Sequence, residues 1–205
     1  MLTIGVELNH VVRNINKQIL KYYAKEFDPS MDWEEMDDKC DVFEKYCKFN
    51  SKYEKNNFIY IDYPYEIFGI SSCVEKNLAR DINNWLGELT NREDEEVRVI
   101  YYSLYEEALT IQSTFFFLSK IGTRVREVFF PKDIREIWEH CDVVITANDD
   151  VLNSKPLNKQ TIKVISNGNN NSNSKGDMEY NSMMEIIKDD DFINKLIKNA
   201  KKEEN

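Results

Sequence analysis

Between residues 97 and 146, short apolar runs alternate with longer amphipathic stretches, and nothing else in the chain limits its fold as narrowly. Val97 to Ser103, Thr123 to Phe130 and Asp142 to Thr146 read as strands, with helices over Glu106 to Lys120 and Lys132 to His140 between them. Strands that alternate with helices return to one sheet by right-handed crossovers, so the pattern predicts a parallel sheet with helices packed on its faces. Residues 161–166 offer a further strand. The opening run, Leu2 to Leu8, is another: it is β-branched and aliphatic, carries no charge before Glu7, and suits a strand buried on both faces.

Between the first strand and this alternating region lies a different grammar. Val11, Val12, Ile15, Ile19, Tyr23 and Phe27 recur at helical spacing until Asp28-Pro29 ends the pattern. Residues 33–57 read as a charged helix burying Trp33, Met36, Val42, Phe43, Tyr46, Cys47 and Phe49. Phe58 to Phe68 is aromatic and turn-rich, with Pro64 opposing regular structure, and residues 71–90 read as a helix through Val74, Leu78, Ile82, Trp85 and Leu89. The expectation is an α/β protein: a Rossmann-like parallel sheet flanked by helices, formed by residues 1–30 and 95–200, with a helical cap inserted over 31–94. Asn167 to Gly176 is almost all Asn, Ser, Gly and Lys and predicts a flexible loop. An amphipathic helix or helix pair should follow, with Met184, Ile187, Ile193, Leu196 and Ile197 on its apolar side.

Charge and cysteine usage exclude several functions. A formal charge of −10 lacks the surplus of Lys and Arg needed to neutralise phosphates, so no nucleic-acid partner is expected. Cys40, Cys47, Cys73 and Cys141 form no CxxC pair, and His10 and His140 lie far apart, so no zinc spacing emerges and the cysteines read as reduced thiols. No run of 18 apolar residues and no leader-like start is present, so no membrane partner is expected either.

Four local phrases carry a family likeness: Ile4-Gly5-Val6-Glu7-Leu8-Asn9, Val-Ile-Tyr-Tyr-Ser103, Phe-Phe-Pro-Lys132-Asp-Ile, and the segment from Asp142 to Pro156 with its trailing Lys-Pro. In their order along most of the chain they resemble the haloacid dehalogenase (HAD) superfamily, particularly its small nucleotidase-like members. That resemblance implies an Asp nucleophile at the end of the first strand and an acid two residues later. It also implies a Ser or Thr and a Lys on the phosphoryl oxygens, and an acidic pair holding magnesium. Here the first two positions are Glu7 and Asn9, Ser103 and Lys132 match the phosphoryl contacts, and Thr146 and Ala147 stand in the acidic slots. An extra methylene shifts the Glu7 carboxylate by roughly an ångström, enough to cost about a hundredfold, and an amide at Asn9 cannot act as general acid. With Asp149 and Asp150 late on the following turn, Glu7 and Asp149 form only a fallback metal pair. Each residue also has a bland reading: Glu7 a strand-tip partner of a Lys, Asn9 a helix cap, Asp149 a turn former.

What the resemblance implies is a catalytically inactive, HAD-like structural or assembly module with no cofactor, bound to other protein subunits as a homo-oligomer or larger assembly. Similarity to degenerate proteins of bacteriophages, crAss-like phages among them, and 22 asparagines suggesting an AT-rich coding sequence point to a virion component in a head–tail ring. A phage-derived chain is then expected in the virion, any other in the cytoplasm. The alternatives are an active magnesium-dependent phosphatase or 5'-nucleotidase using Glu7 with Asp149, and a nucleotide-binding regulator using Ser103 and Lys132.

Overall fold

The computed structural model describes residues 1–90, 96–165 and 174–196. Six strands form one all-parallel sheet: β1 (Leu2–Glu7), β4 (Val97–Tyr102), β5 (Val128–Phe129), β6 (Val143–Thr146), β7 (Gln160–Val164) and β8 (Met178–Tyr180). Their order across the sheet is β5-β4-β1-β6-β7-β8, so the chain winds outward from β1 first one way and then the other. A doubly wound sheet of this kind opens a crevice at its switch point, beyond the carboxyl ends of β1 and β6. The predicted Rossmann-like α/β architecture is what the chain adopts.

Helices cover both faces of the sheet. On one side Ile4, Val6, Tyr101, Val143, Ile145 and Ile162 meet α4 (Leu78–Thr90), α5 (Leu109–Ile121) and α8 (Met183–Lys188). On the other, Ile100, Tyr102 and Val144 meet α6 (Ile134–His140) and α7 (Asp149–Asn153). Gly5 lets α6 and its following turn approach β1, since a Cβ there would lie 2.5 Å from the Cys141 Sγ.

The segment between β1 and β4 departs from the expected helices. The first helix, α1 (Ile15–Glu26), starts later than the apolar spacing suggested, because the Leu8 carbonyl accepts both the Val12 and Arg13 N–H groups in a turn with His10 at φ 67°. Asn14 then caps the helix by accepting from the Lys17 N–H. A short antiparallel ribbon, β2 (Arg13–Asn14) with β3 (Ser72–Cys73), closes the excursion at its base. Inside it the single helix expected over 33–57 is two short ones, α2 (Val42–Lys45) and α3 (Lys52–Asn57), started by the caps Asp41 and Ser51. Phe58–Asp62 and Tyr65–Gly69 form π-helical turns on either side of Pro64.

Packing within this stretch is local. Ile19, Leu20 and Tyr23 of α1 form a separate cluster with Val42, Phe58, Ile59, Ile67 and Phe68. Residues 78–89 belong instead to the cluster on the sheet. The strand expected over 123–130 shrinks to Val128–Phe129 at the sheet edge, and β8 is a strand the composition did not reveal. On α8 Met183 and Ile186 are the buried pair, with Met184 and Ile187 at their margin. Most of the predicted loop over 167–176, and Ile197, lie outside the described residues.

Candidate functional site

The switch-point crevice is real: a cleft of about 320 Å³ opens beyond β1 and β6, lined by Glu7, His10, Asp41, Ala147, Asn148 and Asp149, among others. Glu7, the last residue of β1, points toward the α6 and α7 side, as strand alternation requires. It is buried, and its Oε2 accepts from the Thr146 hydroxyl at 2.6 Å and from the Ala147 N–H at 2.9 Å. Thr146 and Ala147 therefore stand against the first-strand carboxyl group, but as donors to it. Desolvation outweighs these hydrogen bonds and pushes the Glu7 pKa up to about 7.

Next to it lies a charged cluster that the residue pattern did not reveal. Arg13, at 0% exposure, pairs with Glu106 at 2.5 Å, and its second terminal nitrogen donates to the Thr114 hydroxyl at 2.6 Å and the Phe68 carbonyl at 3.1 Å. Both Asn9 and Ser103 belong to this network. The Asn9 carbonyl oxygen accepts twice from Arg13, at 3.0 and 2.7 Å, and its amide donates to the Ser103 Oγ at 3.2 Å. Ser103 in turn donates to Glu106 at 2.5 Å, as does Thr114. Phe68 and Phe117 place their rings 5.0 and 5.3 Å from the guanidinium. Asn9 is thus no helix cap, and the Glu7 oxygen that is held is held by Thr146 and Ala147 rather than by a lysine.

Arg13 and Glu106 were hidden in the sequence because their partnership spans 93 residues and neither sits in a repeating pattern. The one local hint is backbone: Tyr105 and Ala108, on either side of Glu106 and Glu107, both have positive φ, a costly turn that aims Glu106 inward. Lys132 is exposed and lies away from the cleft lining, at the start of α6, where its N–H donates to Glu136.

The donor set at the cleft fits magnesium poorly. The neighbours of Glu7 at the acidic slots offer a hydroxyl and a methyl group in place of carboxylates. Asp149 lines the same cleft, but among the described residues no group of three or more His, Cys, Asp or Glu is arranged to hold a metal ion. His10, half-buried beside the cleft, has its pKa lowered to about 4 by desolvation and then by the Arg13 charge.

No family model matches the chain. A search of curated proteins likewise finds no match. Among the described residues no helix is long and apolar enough to cross a membrane. The class of protein that fold and site define is a doubly wound α/β protein with a buried glutamate at its switch point.

Proposed function

We propose that this chain is a HAD-like protein without phosphoryl transfer, used as a structural module that binds other protein subunits. One observation carries the reading: Ser103 and Asn9, at the positions where the resemblance puts a phosphoryl contact and a general acid, are tied into the buried Arg13–Glu106 network. A serine hydroxyl already donating to a carboxylate cannot also donate to a phosphoryl oxygen, since it has one proton. The amide of Asn9 has no acidic proton to give. The strand order adds support, because it puts Glu7, Ser103 and Thr146 at the carboxyl ends of three adjacent strands.

The test is phosphate-ester turnover by the purified protein with magnesium, using p-nitrophenyl phosphate and nucleoside monophosphates. The expected result is no turnover above the buffer blank, unchanged in Glu7→Gln. Turnover that disappears in Glu7→Gln would replace this reading with a phosphatase using Glu7 and Asp149. The finer form, a phage virion component in a head–tail ring, rests on the likeness to phage proteins, and a mass measurement on the native particle from its source checks it.

A further inference from the structure

Helix α5 divides its apolar residues between two faces, with Phe117 and Leu118 buried in the core and others facing outward. Its hydroxyl residues Thr110, Ser113 and Thr114 are buried, while Leu109, Phe115 and Phe116 stand 47%, 53% and 44% exposed. The small inner face allows close packing on Tyr65–Gly69, where a Cβ on Gly69 would come within 3.4 Å of the Ser113 carbonyl. The polar atoms on that face are used: Thr114 by Arg13 and Glu106, Ser113 by the Leu109 carbonyl. The outer face is left without charge, because Lys120, the one charged residue of the helix, turns its ammonium to the Gly69 and Ser71 carbonyls. In a chain that is 31% charged, this is an unusual surface.

The aromatic face is also continuous. Tyr65 packs on Phe116 with ring centroids 5.1 Å apart, and Phe115 on Phe130 at 5.6 Å. Tyr105, 54% exposed, is joined to the same edge by its N–H donating to the Pro131 carbonyl. Charge-free, aromatic patches of this composition characterise the centre of protein interfaces. Half of the ~200 Å² that a large side chain can bury, over five such side chains, is about 500 Å² per copy and about 1,000 Å² for a symmetric pair, the threshold for a specific interface.

We propose that the outer face of α5 is a two-fold interface on which a second copy of this chain docks, helix antiparallel to helix. The occupant is argued from self-complementarity. A two-fold axis between Phe115 and Phe116 sets Gln112 of one copy beside Ser119 of the other, polar on polar. The exposed Glu107 just before the helix and the exposed Arg124 just beyond it give its two ends opposite charge, which an antiparallel pair brings toward each other. Neither Glu107 nor Arg124 makes an ion pair among the described residues, so each is available to the other copy. The interface gives the assembly reading a first contact, and its geometry stands whether or not the cleft is catalytic.

Sedimentation equilibrium of the full chain across the micromolar range tests it, with Phe116→Glu and the charge reversals Glu107→Arg and Arg124→Glu alongside. The expected result is twice the monomer mass for the parent chain and loss of the dimer in Phe116→Glu with its circular dichroism unchanged. Weakening in Glu107→Arg, with recovery in the double reversal, is also expected. A parent chain that stays monomeric overturns the proposal, and so does a dimer that survives Phe116→Glu. Because these readouts are masses, a phosphatase activity would overturn the functional reading and leave this result standing.

Discussion

At the scale of single residues, the Glu7 carboxyl sets the pH response of the site. Its folded pKa of about 7 lies above the ordinary 4.5, so the folded protein holds more protons than the unfolded chain between those values. Its contribution is therefore fully present below pH 4.5 and is lost as pH rises through 7, a change on the order of 3 kcal/mol. His10 runs the opposite way. With a folded pKa of about 4 against 6.5, it costs stability as pH falls through that window. Between pH 4.5 and 6.5 the two slopes oppose each other, and thermal unfolding of the parent chain should be nearly flat there. Glu7→Gln should raise the Tm at pH 8 relative to the parent and expose the His10 slope at acidic pH; equal Tm values at pH 8 would show that Glu7 is not desolvated as described.

The buried ion pair gives a second prediction at this scale. Removing one partner leaves the other charged and dry, so Glu106→Ala should cost about 3–5 kcal/mol, measured by urea unfolding. Replacing both, as Arg13→Met with Glu106→Leu, removes the lone charge but strands the Asn9, Ser103, Thr114 and Phe68 groups the pair holds, so it should recover only part of that loss. The positions of Glu7, Asn9, Ser103 and Thr146 were legible in the sequence because each lies at, or within two residues of, the carboxyl end of a strand, where side chains of adjacent strands gather. Arg13, Glu106 and Thr114 were not, because only the folded chain brings the ribbon, the loop after β4 and the middle of α5 together.

At the scale of elements, the legible parts are the ones whose burial is periodic. β1, β4 and β6 are covered on both faces over most of their length and so read as largely apolar runs, with Arg98 the one basic interruption. The single helix read over residues 33–57 is broken because order there comes from packed rings, such as Phe49 edge to face with Tyr23 and Phe27 and tilted against Phe58, which leaves no helical period. β8 and β5 are edge strands of three and two residues, too short to show an alternation. The β1–α6 contact yields a prediction here. Gly5→Ala forces its methyl onto the Cys141 sulfur and should destabilise by about 1–3 kcal/mol. Pairing it with Cys141→Ala should return much of that stability, since the sulfur is the first atom met; a double variant no better than the single would show that backbone, not sulfur, limits the approach.

At the scale of the whole molecule, Arg13 connects two hydrophobic clusters. It stands at the base of the excursion, donates to the Phe68 carbonyl on one side, and reaches Glu106 and Thr114 beside the sheet on the other. Loosening it should release the excursion before the sheet. In Glu106→Gln, amide hydrogen exchange over residues 15–71 should accelerate while β1, β4 and β6 stay protected. A uniform increase would mean that the two clusters unfold as one.

The position of β1 has a consequence for synthesis. It pairs with β4 on one edge and β6 on the other, so its backbone groups are fully matched only when the ribosome has delivered residue 146. Until then the earliest strand of the sheet waits with an open ladder, and nascent chains stalled before that point should be the ones that chaperones retain.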